Sequence, residues 1–351
     1  MTKRGKPTHP ALIIVPAAIM GAFVISSASA ETILTGNAFF PRHHPFMTGV
    51  LGPWSKGVEQ VTNGRVKVKI PPASMAPAPR QWDMVSKGIA DVAVFANVFQ
   101  RKRLHLQQIA QIPFLTTTAE ATSVALWRTQ QKYFAYANEY KGKQLLANFV
   151  HSGYNLQNNK RAITKVADFK GLKIRSSPGA AKAALDILGA TVVTSPGVKI
   201  FEYVSKGTVD GLVSTYSTIR TYKIGRYLKH VTDFPGQLSN VSFSFFMNQK
   251  KWDALPAQDR KAIETISYEV LSRGGGKAWD DAQGGGFEDV KKYNIKITKA
   301  DGAFMAELKS KLGFIETKWS AEAKKRGLAD PGAAVTFYRS EAKRLAKEYA
   351  K

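Results

Sequence analysis

The chain contains no cysteine. Disulfides therefore add nothing to its stability, and thiol nucleophiles and cysteine-ligated metals are excluded. Histidine is scarce too, with six in 351 residues, two of them the adjacent His43 and His44. That pair lacks the i, i+4 spacing of a helical metal site and no nearby Asp or Glu completes a set, so the sequence offers no metal or cofactor site. Also missing are the G-x-S-x-G elbow, the G-x-x-x-x-G-K-[ST] phosphate loop and H-E-x-x-H. Gly274–Gly276 has no strand before it, as a phosphate-binding loop requires, and Glu202 with Asp210 reads as helix-surface and turn chemistry rather than a catalytic carboxylate pair.

Negative charge is in short supply: 26 Asp and Glu stand against 51 Lys and Arg, a formal net charge of +25. Such a balance admits nucleic acid, an anionic surface or a small organic anion as partner. The cations are spread along helices, as at Lys182, Lys199, Lys309 and Lys343, without a basic tail or RNA-binding motif. This argues against nucleic acid and for a solvated basic surface whose field attracts organic anions. Long apolar runs are absent after the first thirty residues. Lys3, Arg4 and Lys6, the short run Ala11–Ile25 and the triplet Ala28-Ser29-Ala30 read as a signal peptide over residues 1–30, favoured over an uncleaved anchor. Removing its three basic residues lowers the net charge to +22 for a chain starting at Glu31.

What is present is a repeated α/β pattern. Strands over 31–37, 66–70 and 91–95 alternate with helices over 46–61 and 80–87, giving β-α-β-α-β and a parallel sheet. A helix over 119–139 and a strand over 145–150 follow. The pattern then recurs, with strands at 172–176, 191–194 and 211–215 and helices at 179–188 and 197–206. Ser177 is read as the N-cap of the first of these helices and Pro178 as its first residue. Residues 241–248 alternate as a strand that returns to the first lobe. Residues 255–289 are helical in outline but carry two glycine triplets, each glycine costing about 1 kcal/mol relative to alanine; a break, a hinge or a close approach would each account for them. A short strand at Ile295 and Ile297 and Lys-rich amphipathic helix complete the chain.

Two lobes of similar plan imply a cleft, and loops at the carboxyl ends of the strands face it. These loops nominate Phe40, His43, Asn97, Tyr154, Asn155, Arg175, Ser214, Thr215 and Tyr216. The set combines one cation, hydrogen-bonding groups and aromatics, which suits an organic acid with an apolar or aromatic body. Arg175 stands where a strand gives way to a helix, a position open to both a surface role and an anion-anchoring role.

D-F-K-G-L-K-I-R at Asp168–Arg175, L-G-A at Leu188–Ala190 and K-G-T-V-D-G at Lys206–Gly211 resemble the extracytoplasmic solute-binding subunit of tripartite ATP-independent periplasmic (TRAP) transporters, the DctP family. T-N-G-R-V-K-V at 62–68, K-G-I-A-D-V at 87–92, I-P-F-L at 112–115 and L-P-A-Q-D-R-K at 255–261 extend the likeness over nearly the whole chain after residue 30. The resemblance implies a two-lobed α/β periplasmic binding protein fold (type II-like) with the ligand cleft between lobes and a long helix spanning both, for which 255–289 is the candidate. Lobe I would comprise 31–152 plus about 240–270. Lobe II would comprise 153–239 plus part of 271–351, with C-terminal helices packing across both. The resemblance further implies a periplasmic monomer, not an enzyme, that hands an organic anion to membrane permease subunits. Arg175 would pair with the ligand carboxylate and Ser214–Tyr216 would line the pocket. Some family members carry a second ligand arginine after the strand that here ends at Val150, where this chain has Tyr154-Asn155. An aromatic or keto monocarboxylate is then favoured, unless Arg80 or Arg220 supplies a second charge. A secreted hydrolase or lyase acting in the same cleft is the alternative.

Overall fold

The computed structural model describes residues 1–3, 5 and 31–351, so the leader segment read from the sequence lies outside the described residues apart from its first few positions. The compact body is 31–351. In its first part, β1 (Thr32–Asn37) leads through a π-helical turn at Met47–Leu51 into α1 (Gly52–Val61). Then come β2 (Val66–Lys69), α2 (Gln81–Ser86), β3 (Val92–Ala96), α3 (Ala119–Thr129) and β4 (Lys143–Val150). β5 (Asn155–Asn158), β6 (Lys173–Ser176), α4 (Ala180–Ile187), β7 (Thr191–Thr194), α5 (Ile200–Ser205), β8 (Gly211–Ser214), α6 (Tyr216–Thr221) and β9 (His230–Asp233) follow. β10 (Ser242–Asn248), α7 (Gln249–Asp253), α8 (Ala257–Thr265), α9 (Tyr268–Lys292), β11 (Lys296–Lys299), α10 (Gly302–Leu312), α11 (Phe314–Lys325) and α12 (Pro331–Tyr349) complete the order.

The strands form two sheets, β2-β1-β3-β10-β4 and β11-β9-β5-β8-β6-β7. In each, the repeated β-α-β-α-β pattern supplies parallel neighbours: Thr32 beside Val66 and Gly36 beside Val92 in one, Arg175 beside Val193 and Leu212 in the other. β3 is buried along its whole length, as its unbroken apolar run requires. β10 enters the first sheet antiparallel between β3 and β4, with Phe245 opposite Val94 and Ala147. The chain thus leaves the first sheet after β4 and returns to it at β10. The two crossing segments run side by side, with the Tyr154 N–H donating to the Ser239 carbonyl at 2.9 Å and the Leu238 N–H to the Tyr154 carbonyl at 3.0 Å.

α9 is the third tie between the sheets, packing against β4, α3 and α6. It runs unbroken through both glycine triplets, and the interruption falls instead at Ile266-Ser267. Close approach is the reason. A Cβ on Gly276 would lie 2.3 Å from the Ala119 carbonyl oxygen, and one on Gly286 would lie 2.2 Å from that of Tyr216. Each triplet therefore seats α9 on the first turn of a helix, α3 from the first part of the chain and α6 from the second. Between them Asp280 accepts from the N–H groups of Ala119 and Glu120, both at 2.9 Å, and Gln283 accepts from that of Ser217 at 2.9 Å. These contacts satisfy donors that a helix start leaves free.

Two helix boundaries differ from the sequence expectation. The helix read over 119–139 is α-helical only to Thr129, then passes through a π-helical turn at Gln130–Phe134 and a 3-10 turn at Ala135–Ala137, ending on Asn138 at φ 45°. α4 starts at Ala180, capped not by Ser177 but by Gly179 at φ 98°. The Ala180 N–H donates to Gln111 Oε1 at 2.9 Å, a residue far away in sequence, and this contact replaces the local cap. β5 was not anticipated, because L-Q-N carries no apolar alternation. It is nonetheless buried throughout, paired antiparallel with β8 and β9.

Candidate ligand-binding site

The carboxyl ends of both sheets and the middle of α9 enclose a cavity of about 580 Å³, mouth included. Arg175, third residue of β6, lies in its wall and is only 3% exposed. The neighbouring strand β7 ends one residue before Ser195. The guanidinium donates through Nε to Ser195 Oγ at 3.1 Å and through a terminal nitrogen to the Ser195 carbonyl. Among the described residues no carboxylate lines the cavity beside Arg175, and burial works against its charge, offset in part by the nearby Tyr154, Tyr222 and Tyr203. An uncompensated buried cation is costly, so a carboxylate entering the cavity gains a partner whose orientation is already fixed.

Hydroxyls and aromatic rings supply most of the remaining wall. Tyr154, on the crossing segment after β4, donates its hydroxyl to Ser177 Oγ at 3.2 Å. Ser214 and Thr215, at the end of β8, share hydrogen bonds with Thr218 at 2.6 and 3.0 Å. Phe40 stacks on His44 with ring centroids 3.8 Å apart, and Phe243 stacks on Trp279 at 6.0 Å. Burial lowers the pKa of His44 and of His151 to about 3, with His43 and His151 contributing further at His44. Both imidazoles are therefore neutral at physiological pH, and among the described residues Arg175 is the one charged side chain lining the cavity.

Of the residues nominated from the sequence, Phe40, Tyr154, Arg175, Ser214 and Thr215 line this cavity. The structure places the other four elsewhere. His43 is exposed, with Nε2 3.0 Å from the Thr221 carbonyl oxygen, and its neighbour His44 turns inward instead. Asn97 is engaged in the core, donating to Ser242 Oγ at 3.1 Å and accepting from Ser244 Oγ at 2.7 Å. Asn155 accepts from Gln157 Nε2 at 2.9 Å within the second sheet. Tyr216 points its hydroxyl to Asp233 at 2.8 Å and packs its ring on Phe287. Neither arginine considered as a second charge reaches the cavity: Arg80 is exposed beside Asp83, and Arg220 is held by Asp289 at 2.6 Å and Glu288 at 2.8 Å. Of the adjacent pair that the sequence offers, the inward ring is that of His44 rather than His43; His151, Phe243 and Trp279 carry no cleft signal of their own, although the S-F-S-F-F alternation marks the strand that holds Phe243.

Two α/β lobes joined by adjacent crossing segments and closed around a small aromatic cavity with one buried cation define a solute-binding protein. The chain belongs to the bacterial extracellular solute-binding proteins of family 7, DctP, whose family model matches residues 37–317. It is similar to the outer membrane transporter protein TsaT of Comamonas testosteroni, with 38% identity over 93% of this chain and 96% of that one. Among solved structures it is similar to a TRAP periplasmic solute binding protein from Bordetella bronchiseptica with bound (R)- and (S)-mandelate, at a TM-score of 0.86 and 28% identity over 90% of this chain and 99% of that one. A marine metagenome TRAP solute binding protein specific for aromatic acid ligands, in complex with 3-hydroxybenzoate, matches at 0.83 and 27% over 90% and 99%. The chain is thus an extracytoplasmic solute-binding protein of the TRAP transporter type. Among the described residues no helix is long and apolar enough to cross a membrane.

Proposed function

We propose that this protein captures an aromatic monocarboxylate in the periplasm and hands it to TRAP permease subunits, acting as a monomer and without chemical turnover. One observation carries the ligand class: the cavity is walled by aromatic rings and hydroxyls and, among the described residues, holds a single charged side chain, Arg175. The carboxylate would take the free edge of that guanidinium, and the ring would lie among Phe40, Phe243 and Trp279. A second carboxylate would be buried without a countercharge, and an ammonium group would find no carboxylate to pair with; both are costly. The mandelate and 3-hydroxybenzoate complexes of the similar proteins support the same class. A leader peptide read from the sequence and the extracellular character of the family support the location.

The reading includes two lobes, 31–152 with about 240–270 and 153–239 with part of 271–351, and the division of strands between the two sheets supports it. The C-terminal helices touch elements on both sides, α12 meeting α3 and α11 meeting α4. A thermal-shift series on the chain from Glu31 onward tests the ligand class. Benzoate and its ring-substituted relatives should raise the melting temperature; succinate, phthalate and phenylalanine should not. A bound ligand at 100 times its Kd adds about 2.7 kcal/mol of stability. Stabilisation by the dicarboxylates alone would overturn the proposal.

A further inference from the structure

One wall of the cavity is not accounted for by anchoring a carboxylate on Arg175. His44 from the segment after β1, His151 from the crossing segment after β4 and Trp279 from α9 meet there. The His44 and Trp279 rings lie 5.0 Å apart edge to face, and those of His151 and Trp279 lie 5.8 Å apart. All three line the cavity and are buried, at 3%, 4% and 6% exposure. Tyr154 stands between this wall and the arginine, with its ring 4.5 Å from that of His151 and its hydroxyl on Ser177.

The backbone fixes the tautomer of each histidine. The Phe46 N–H donates to His44 Nδ1 at 3.2 Å and the Gly153 N–H to His151 Nδ1 at 3.0 Å. A backbone N–H can only donate, so both Nδ1 atoms carry lone pairs and the ring protons sit on Nε2. His151 Nε2 and Trp279 Nε1 are buried and have no acceptor among the described residues. Buried donors of this kind are rare because they are costly. Among the described residues, the side chains lining the cavity include no carboxylate or amide oxygen that could accept from them.

We propose that this wall is a second subsite, which takes an oxygen acceptor carried by the ligand in addition to its carboxylate. The ligand class narrows to aromatic acids bearing a hydroxyl or carbonyl oxygen on or beside the ring. This proposal rests on the reading of the cavity as an aromatic-acid site. The donors are neutral, so the subsite favours a neutral oxygen over a second carboxylate.

Calorimetric titration of the chain from Glu31 onward with matched acids tests it: 3- and 4-hydroxybenzoate against 3- and 4-methylbenzoate, alike in size and charge and different in the oxygen. At least one hydroxy acid should bind about tenfold or more tightly than its methyl partner. That ratio should fall towards one in Trp279→Phe, which removes the indole N–H and keeps a smaller aromatic ring, and in His151→Phe, with melting curves confirming that each variant folds. Equal affinity within both pairs in the unsubstituted protein overturns the subsite while leaving the aromatic-acid reading in place. A ratio that survives in both variants overturns it too. Binding of none of the four acids overturns both readings.

Discussion

At the scale of single residues the site depends on one charge kept constant among neutral neighbours. Arg175 is buried beside Ser195 with no carboxylate partner among the described residues, and the two cavity histidines are held neutral by burial. An imidazolium that gripped the ligand would couple binding to proton uptake, so affinity would rise as pH falls. With both folded-state values near 3, no such uptake occurs between pH 8 and 6. Affinity for an aromatic carboxylate should be flat over that window by calorimetry; a tenfold gain per pH unit on acidification would contradict the assignment. The same depression has a cost in acid. As pH falls below the ordinary histidine value of about 6.5, the unfolded chain takes up protons that the folded one refuses. Each histidine then removes about 1.4 kcal/mol of stability per pH unit. Arg175 was legible in the sequence because its motif marks a strand end. Of the adjacent pair His43-His44, nothing local indicated which ring turns inward, since the choice is made by packing of Phe40 and Trp279 on His44.

At the scale of elements, α9 shows where reading by propensity stops. Six glycines argue against a helix, yet the 25-residue helix persists because it lies on the backbone of two others. A glycine-to-alanine scan separates the positions. Gly274 and Gly284 have nothing within 4 Å of an added Cβ, so alanine there should stabilise by about 0.5–1 kcal/mol each. Gly276→Ala and Gly286→Ala would meet carbonyl oxygens at 2.3 and 2.2 Å and should destabilise by about 1–3 kcal/mol. Denaturant titration of the four variants measures the signs; four changes of one sign would refute the close-approach account. Asp280→Ala, which strips two N–H groups at the start of α3, should cost about 1–2 kcal/mol in the same assay. The repeated β-α-β-α-β pattern was legible because apolar alternation and glycine ends are local signals. β5 and the true start of α4 were not, since both depend on partners distant in sequence, β8 and β9 for the one and Gln111 for the other.

At the scale of the whole molecule the parts combine into a device for catching an anion. A net charge of +22 from Glu31 onward sets up a field that draws carboxylates from solution. Raising ionic strength should therefore slow ligand association in stopped flow while leaving dissociation nearly unchanged. Contacts bridge the two halves beside the cavity, such as the Ala180 N–H on Gln111 Oε1 at 2.9 Å. Arg175 is where the long-range field becomes a directed bond. Calorimetric titration of Arg175→Ala beside the unsubstituted protein, with 3-hydroxybenzoate as ligand, tests that claim most directly. Binding should weaken by at least about 2 kcal/mol, roughly thirtyfold in Kd, with the melting temperature of the unliganded variant maintained. An unchanged Kd would contradict it.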